Sequence, residues 1–291
     1  MNQDPYQLDG RRVRAAFDAA AGDYDAVAVV QAEVLSRLLE RLELFRIKVR
    51  RVLDAGCGTG RAVRPLLSRY RQAEVIGLDI APSMAATARA RRPWWRRVHG
   101  ICADAAALPL DDGSVDLVFS NLVLQWCNSP DRVFEEFRRV LRPGGLALFS
   151  TFGPDTLREL RTAWSAADGH THVSRFIDMH DIGDALLRAG LVEPVMDVEH
   201  LTLTYADARS LMRDLKTMGA GNATAGRRRG LTGRRRLQAV EQAYEQLRHD
   251  GRLPATWEVV YGHAWAGTQQ AVAVPGGVEA TVPLERIGRR R

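Results

Sequence analysis

Short apolar runs alternate with amphipathic stretches along the first half of the chain. Five of these runs have the length and apolar character of buried strands, and they lie at residues 52–55, 75–78, 98–102, 115–120 and 146–151. Residues 31–45 instead repeat leucine and valine at helical spacing, with charged residues between them. Strands that alternate with helices in this way predict βαβ units and a parallel sheet covered by helices on both faces.

The second half of the chain predicts a continuation of the same sheet. Residues 178–189 show a helical pattern that Gly190 ends, and residues 195–205 and 257–265 have the pattern of strands. Between these two strands, residues 207–219 and 237–248 predict a pair of helices joined by a loop rich in glycine and arginine. We therefore expect an α/β protein whose sheet has seven strands, with a helical insertion before the last one.

This pattern divides the chain into four parts. Residues 1–45 form an N-terminal helical segment that we expect to act as a lid, and residues 46–206 with 252–266 form the α/β core. Residues 207–251 form the helical insertion, which we expect to cover the substrate. Residues 267–291 form a tail that contains glycine and proline and ends in three arginines, and we expect it to be mobile.

The strongest chemical signal lies where the first predicted strand runs into glycines, in the sequence VLDAGCGTG at residues 52–60. Gly56, Gly58 and Gly60 permit a tight turn and a close approach of a ligand to the backbone, and the helix that follows offers free N–H donors. Asp79 ends the next predicted strand, where a carboxylate can accept hydrogen bonds from both hydroxyls of a ribose. A dinucleotide fingerprint would need a third glycine at the position of Arg61, so the pattern argues against a dinucleotide.

These residues resemble the class I S-adenosylmethionine-dependent methyltransferases, in which an acidic residue stands two positions before a G-x-G-x-G turn, as Asp54 does here. The resemblance continues at ADA (residues 103–105), SNL (120–122) and LRPGG (141–145). It implies a Rossmann-like, mostly parallel sheet and S-adenosylmethionine as cofactor, with Asp79 on the ribose and Asp104 on the adenine amine. The cofactor-binding residues that it implies are Asp54, Gly56, Gly58, Gly60, Asp79, Ile80, Asp104, Ala105 and Asn121.

Composition and charge limit the partners. The chain has 291 residues, of which 46% are hydrophobic and 26% charged, and this balance excludes a disordered chain or a small disulfide scaffold. A net charge of +6 favours acidic partners without identifying one. The three cysteines show no metal-ligand spacing, so we expect free thiols and no metal site. Because no run approaches the roughly 20 apolar residues of a membrane span and the start lacks a signal-peptide pattern, we expect a cytoplasmic protein that binds no membrane.

Further features narrow the resemblance and span nearly the whole chain, at residues 17–18, 23–25, 121–127, 152–157, 174–178, 211–220, 231–232 and 254–258. This set resembles the malonyl-acyl-carrier-protein O-methyltransferases of biotin synthesis. By that resemblance, the protein methylates the free carboxylate of malonyl-acyl-carrier protein, or of malonyl-CoA, so that fatty-acid synthesis accepts the ester as the primer of a pimeloyl chain.

Candidate catalytic residues follow from this chemistry. A malonyl carboxylate is already ionised at neutral pH, so catalysis needs positioning and exclusion of water rather than a general base. Arg175 is the candidate clamp for the carboxylate, since a guanidinium matches it bidentately, although a surface salt bridge would use the same residue. Tyr24 would close over the cofactor or simply pack, and Gln125 and Trp126 would form the wall of the acyl pocket.

Two arginine clusters offer docking surfaces for an acidic acyl carrier protein. One comprises residues 227–229 and 234–236, and the other comprises Arg89, Arg91, Arg92, Arg96 and Arg97 around Trp94 and Trp95. A basic surface near the pocket would steer an acidic carrier and raise its encounter rate. Either cluster would equally suit a solvated face or a nucleic-acid patch.

Three other functions stay open on the sequence alone. The first is a methyltransferase for another small acid or a quinone precursor, because the cofactor half of this fold is shared among many substrates. The second is a cofactor-binding protein similar to a mitochondrial complex I assembly family, which residues 152–160 and 253–261 also resemble. Nucleic-acid modification is disfavoured, because SNLV at residues 120–123 lacks the Asn-Pro-Pro-Tyr type of tetrad. The sequence leaves four properties open: the preference between the carrier-protein and the CoA thioester, the arginine that binds the carboxylate, the oligomeric state and the role of the tail.

Overall fold

The computed structural model describes residues 4–228, 230 and 232–267, together with the backbone of 273–274 and 277–278. Three helices come first: α1 (Gly10–Ala20), α2 (Tyr24–Val27) and α3 (Val29–Leu42). The alternating region then runs β1 (Arg51–Ala55), α4 (Val63–Arg69), β2 (Glu74–Asp79), α5 (Pro82–Ala90), β3 (Val98–Cys102) and β4 (Val115–Asn121). A short 3-10 turn at Leu124–Trp126 leads into α6 (Pro130–Val140) and β5 (Leu141–Phe152).

The remaining elements complete the sheet and its covering helices. They are α7 (Arg158–Ser165), α8 (Met179–Arg188), β6 (Leu191–Tyr205), α9 (Ala208–Thr217), α10 (Arg234–Glu245) and β7 (Leu253–Ala266). A separate pair of short strands, β8 (Ala273–Val274) and β9 (Gly277–Val278), is the described portion of the predicted tail, and the rest of residues 268–291 lies outside the described residues.

The sheet has seven strands in the order β3-β2-β1-β4-β5-β7-β6. The first five pair in parallel, whereas β7 lies antiparallel between β5 and β6. Two helices, α9 and α10, separate β6 from β7 along the chain and correspond to the predicted insertion. The predicted fold class is therefore confirmed, including the mostly parallel sheet and the insertion before its last strand.

Burial on both faces explains why the central strands read as continuous apolar runs. Neighbouring residues of β1 point to opposite sides, so Val52 belongs to the core beneath α3 and α4 while Leu53 belongs to the core beneath α6 and α8. At the edge, β6 is largely half-exposed and alternates in burial along most of its length. The two cores cover both faces and leave the carboxyl ends of the parallel strands free to form a site.

Several element boundaries differ from the sequence prediction; β6, for example, begins at Leu191 rather than at residue 195. The LRPGG segment was expected as a turn before the fifth strand, but β5 includes it. The pairing of β4 with β5 shifts register here, so that Val115 pairs with Leu141 and Leu117 with Leu146, and the residues between form a bulge. The last strand also begins at Leu253 rather than at residue 257, because β6 pairs with it over that whole length.

Candidate active site

The turn after β1 is fixed by hydrogen bonds to the neighbouring strand. The backbone N–H groups of Gly56 and Cys57 both donate to the carbonyl of Leu78, at 2.7 and 2.9 Å. Gly56 has φ 71°, and a Cβ added to it would lie 2.0 Å from Cγ2 of Val123. At Gly58, with φ 51°, an added Cβ would meet no atom within 4 Å. The turn is therefore packed tightly at its first glycine and open at its second.

Asp79, at the end of β2, is buried and held rigidly. Its Oδ2 accepts a hydrogen bond from the backbone N–H of Gly58 at 2.9 Å, and its Oδ1 accepts one from Ala81 at 2.8 Å. Burial raises the pKa of this carboxyl, while the same backbone donors act in the opposite direction. Each oxygen keeps further acceptor capacity, so the carboxylate can hold a diol without moving.

Asp54 is a second buried acid on the neighbouring strand, β1. Its Oδ2 has no hydrogen-bond partner among the described residues. Burial, together with the charge of Asp79, raises the pKa of Asp54 to about 7. A positively charged ligand favours the ionised form of such a carboxyl, so binding of the ligand and ionisation of Asp54 are coupled.

A cavity of about 290 Å³ opens above these strand ends. Its far side is formed by α1 and α2, through Val13, Phe17 and Tyr24. The ring of Phe17 meets Trp126 edge-on at 5.0 Å between centroids and Tyr24 at 6.4 Å. The N-terminal helices therefore cover the cavity with aromatic side chains that exclude water.

A larger groove of about 1000 Å³ lies beside the cavity and shares two wall residues with it, Cys127 and Asn128. Its walls come from the N-terminal segment at residues 4–8, from the ends of β4 and β5, and from the chain leading into α8. Arg161 and Arg175 both line it. The cavity can hold a compact polar ligand, and the groove can admit an elongated one next to it.

Comparison with known proteins identifies the family. The chain is 55% identical over 284 residues to the malonyl-[acyl-carrier protein] O-methyltransferase of a Methylovorus species, with 96% of each chain covered. It is 52% identical over 292 residues to that of Halorhodospira halophila, with 99% of this chain and 98% of the relative covered. The chain belongs to the malonyl-acyl-carrier-protein O-methyltransferase family. A model described as a methyltransferase domain also matches residues 53–149.

Solved structures show the same fold. The YcgJ protein of Bacillus subtilis superposes with a TM-score of 0.57 at 17% identity, covering 81% of this chain and 99% of its own. Phosphoethanolamine N-methyltransferase 2 of Haemonchus contortus, in complex with S-adenosyl-L-methionine, gives 0.50 at 18% identity, covering 86% of this chain and 57% of its own. The predicted methyltransferase class and its cofactor, S-adenosylmethionine, are thus confirmed for this family member.

The chemistry of the cavity fits this cofactor. Asp54 offers a buried negative charge for a ligand that carries a sulfonium and an ammonium group, and Asp79 offers fixed acceptors for the ribose hydroxyls. The space beside Gly58 admits a group against the backbone. Seven of the nine predicted cofactor residues line the cavity: Gly56, Gly58, Asp79, Ile80, Asp104, Ala105 and Asn121.

The other two predicted cofactor residues lie behind the cavity wall. Asp54 is buried in β1, and Gly60 packs against α5, where an added Cβ would lie 2.6 Å from Cα of Ala88. Asn121 lines the cavity, but its amide is engaged: Oδ1 accepts from Ser150 Oγ at 2.9 Å, and Nδ2 donates to the carbonyl of Gln31 at 3.2 Å. Asn121 therefore ties α3 and β5 to the strand end.

The four predicted catalytic residues divide between the two spaces. Tyr24 and Trp126 line the cavity, whereas Gln125 and Arg175 line the groove. Burial, with the charge of Asp79, raises the pKa of Tyr24 well above its usual range, so its phenol stays neutral and can donate a hydrogen bond. Gln125 connects the two spaces, since its Nε2 donates to the carbonyl of Leu122 at 2.8 Å and its Oε1 accepts from Thr151 at 3.1 Å.

Arg161 is a charged residue of the groove that the sequence analysis missed. It lies on α7, one position beyond the segment of residues 152–160 that the sequence analysis singled out. Nothing in the local pattern separates it from an ordinary solvent-facing arginine of an amphipathic helix. The structure makes it half-buried and places it in the groove wall.

The remaining reactive groups are the three cysteines and one cluster of metal-ligand residue types among the described residues. All three cysteines are free, and burial raises the pKa of Cys127 to about 12, so this thiol in the site wall stays protonated. Among the described residues, the metal-ligand types come together at Asp155, His200 and Glu258. Glu258 there accepts the backbone N–H of Asp155, and Asp155 pairs with Arg158, so internal contacts already use this group. None of the described helices combines the length and the apolar character needed to cross a bilayer.

Proposed function

We propose that this enzyme transfers the methyl group of S-adenosylmethionine to the free carboxylate of malonyl-acyl-carrier protein, and that the ester primes pimeloyl synthesis for biotin. The observation that carries the proposal is that a cavity lined by a buried acid adjoins a groove lined by two arginines, alongside the carboxylates Asp4, Asp178 and Asp181. The cavity is lined by the buried acid Asp79, and Asp54 lies buried behind its wall, so the negative charge on this side suits a cationic cofactor. The adjoining groove presents two arginines, which suit an anionic acceptor.

The residues of the chain act by positioning. The cofactor supplies an electrophilic methyl group, and a carboxylate oxygen accepts it without any proton transfer. Phe17, Tyr24 and Trp126 form an aromatic cover that keeps water out of the cavity. Gln125 is anchored at both ends of its amide and holds the wall between cavity and groove. No general base is required, which agrees with the neutral state of Tyr24.

A docking surface for the carrier is part of the proposal, and the fold favours one arginine cluster over the other. The loop of residues 91–97 leads from α5 to the start of β3, and Arg96 donates to the carbonyls of Leu67, Tyr70 and Ala73, which precede β2. This cluster therefore lies at the amino-terminal edge of the sheet, opposite the cavity.

The other cluster lies next to the groove. The backbone N–H of Gly226 donates to the carbonyl of Pro5, which is part of the N-terminal segment that lines the groove. Arg227 donates to the carbonyl of Thr224, and Arg234 and Arg235 are exposed at the start of α10, which packs on α7. Arg229 lies outside the described residues. An acidic carrier that approached this surface would present its thioester arm to the groove.

A labelling assay tests the activity directly. The enzyme is incubated with methyl-labelled S-adenosylmethionine and malonyl-acyl-carrier protein, and the product is tested for a base-labile methyl ester. Acetyl-acyl-carrier protein, which has no free carboxylate, is the matched control and should stay unlabelled. Tight cofactor binding without any label on the malonyl carrier would reject the proposed function. In a separate experiment, complementation of a biotin-requiring mutant tests the role in biotin synthesis.

A further inference from the structure

Two arginines line the groove, and their surroundings differ. Arg175 is exposed on the segment that leads into α8. Asp178 and Asp181, at the start of that helix, line the same groove and place negative charge close to Arg175 along the chain. Asp4 adds a further carboxylate to the wall. The negative charges of these carboxylates would therefore repel an anion at the Arg175 end of the groove.

Arg161 is oriented by backbone carbonyls, and Asp155 acts on it without forming a direct ion pair. Its Nη1 donates to the carbonyl of Pro154 at 3.0 Å, and its Nη2 donates to the carbonyl of Thr156 at 2.9 Å. Within the described part of the chain, no carboxylate oxygen lies within the 4.0 Å of an ion pair with it. Its neighbour Arg158, on the same helix, instead pairs with Asp155 at 3.1 Å. Burial lowers the pKa of Arg161, and the charge of Asp155 offsets this only in part, so the cation has lost water without gaining a direct ion pair.

Such a cation has unused capacity for an anion. A guanidinium carries five N–H donors, and two carbonyl acceptors leave several of them unassigned. A half-buried positive charge without an ionic partner costs free energy, and a carboxylate that binds to it recovers part of that cost. The two carbonyls also fix the plane of the guanidinium, so it loses little entropy when it binds.

The position of Arg161 relative to the cavity matches the proposed reaction. Thr151 and Gln125 line the groove together with Arg161, and Gln125 also bonds to the carbonyl of Leu122 in the cavity wall. Leu122 directly follows β4 and Thr151 lies near the end of β5; these two strands are direct neighbours in the sheet and hence about 4.8 Å apart. An anion held in this part of the groove therefore lies beside the space that receives the cofactor.

We infer that Arg161, rather than Arg175 alone, binds the carboxylate of the malonyl group and presents its free oxygen to the methyl donor. The inference rests on the proposed function and adds to it a specific residue for substrate recognition. Selectivity follows from the same contact: a thioester whose acyl group is neutral leaves the cation unpaired, so the groove favours an acid over its methyl ester and releases the product.

Binding of acid and ester tests this role without turnover. With S-adenosylhomocysteine in the cavity, calorimetry compares malonyl-CoA with its malonyl methyl ester. In Arg161→Met the affinity for malonyl-CoA should fall about 10- to 100-fold, whereas the affinity for the neutral ester should change less than about twofold. Arg161→Lys should recover part of the affinity for the acid, because it keeps the charge but loses the bidentate geometry.

Two controls separate this role from others. Arg158→Met removes a charge from the same helix outside the groove and should leave both affinities unchanged. Unchanged affinity for S-adenosylhomocysteine shows that the variants are folded, and Arg161→Gln replaces the Met variant if that one is unstable. Equal loss for acid and ester, or no loss for either, would overturn the role of Arg161. Wild-type enzyme that forms no malonyl methyl ester would instead overturn the proposed function.

Discussion

The cofactor cavity and the substrate groove share a wall but are built differently. The cavity is formed mainly by strand ends and by turns close to them: the backbone N–H of Gly58 donates to the carboxylate of Asp79, and that of Gly56 donates to the carbonyl of Leu78 on the adjacent strand. The groove gathers short segments from residues 4–8, 124–130, 151–161 and 175–182. A local motif can specify the first kind of site, whereas the second exists only when distant segments meet. Mutations in the two regions should therefore change stability and binding in different ways.

The largest effect is expected at the first glycine of the cavity. Gly56→Ala would place a methyl group 2.0 Å from Val123 at a φ of 71°, and such overpacking and strain should lower the free energy of unfolding by about 2–4 kcal/mol. Thermal unfolding and calorimetry with S-adenosylmethionine measure the losses of stability and cofactor binding. Gly22→Ala, where an added Cβ meets nothing within 4 Å, is the control. A stable Gly56→Ala protein with normal cofactor affinity would contradict the packing argument.

A smaller loss, confined to cofactor binding, is expected at the ribose acid. Asp79→Asn keeps the shape of the side chain but removes the charge that strengthens its hydrogen bonds to a diol. The affinity for S-adenosylmethionine should fall by about 10- to 100-fold, as measured by calorimetry. Asp111→Asn changes an exposed acid outside the cavity and should have no effect. Equal affinities for the Asp79 variant and the wild type would remove this residue from the ribose role.

The second buried acid should make cofactor binding depend on pH. Asp54 has a pKa of about 7 in the free protein, and a cationic ligand favours its ionised form, so binding below pH 7 releases a proton. The affinity for S-adenosylmethionine should therefore fall about tenfold from pH 8 to pH 6. Calorimetry across this range should show a flatter profile for Asp54→Asn, and the same slope in both proteins would count against Asp54 as the source.

The same shift predicts a trend in the stability of the free protein. The folded pKa of Asp54 lies above its ordinary value of 3.8, so the folded state binds more protons than the unfolded state between these values. The contribution of Asp54 to stability should therefore fall as the pH rises from about 4 to about 7 and stay constant above that. Denaturant unfolding of the wild type and of Asp54→Asn measures it as a difference between the two proteins.

The smallest effect is expected on the carrier surface beside the groove. Arg234→Glu with Arg235→Glu should raise KM for malonyl-acyl-carrier protein about three- to tenfold at low salt, through slower encounter with an acidic partner. KM for malonyl-CoA should rise less, because CoA has phosphate charges but lacks the acidic protein surface of the carrier. Arg92→Glu with Arg97→Glu, on the opposite edge of the sheet, is the matched control. Equal effects of the two pairs, or equal effects on both substrates, would reject this docking surface.

Sequence patterns predicted the presence of the strands better than the residues at which they begin and end. Continuous apolar runs indicated β1 and β4 because both faces of these strands are covered, and the family resemblance implied the mostly parallel sheet but not the order of its strands. The LRPGG segment was predicted as a turn because proline and glycine usually end regular structure, yet its pairing with β4 makes it a bulge of β5. Pairing between strands decided this, and single-chain propensities do not contain it.

The structure brings together those predicted site residues that lie close to one another along neighbouring strands. The glycine turn and Asp79 were recognisable because their spacing is set by one strand, one turn and the next strand. Arg161 was not recognisable, because its place in the groove depends on the path of residues 153–157 and on the N-terminal segment across from it. The position of the basic clusters was equally invisible, since sequence shows charge but not the edge of the sheet on which it lies.

The sequence by itself determined the fold class, the methyltransferase family and the cofactor, because these depend on local patterns of burial and on a motif whose parts are near one another in the chain. The tertiary structure decided which acid oxygen stays unpartnered, which groove arginine is held by backbone carbonyls, and which basic surface borders the groove. The physical reason is that the energy of a charge depends on its burial and on its partners, and both are set by contacts between segments that lie far apart along the chain.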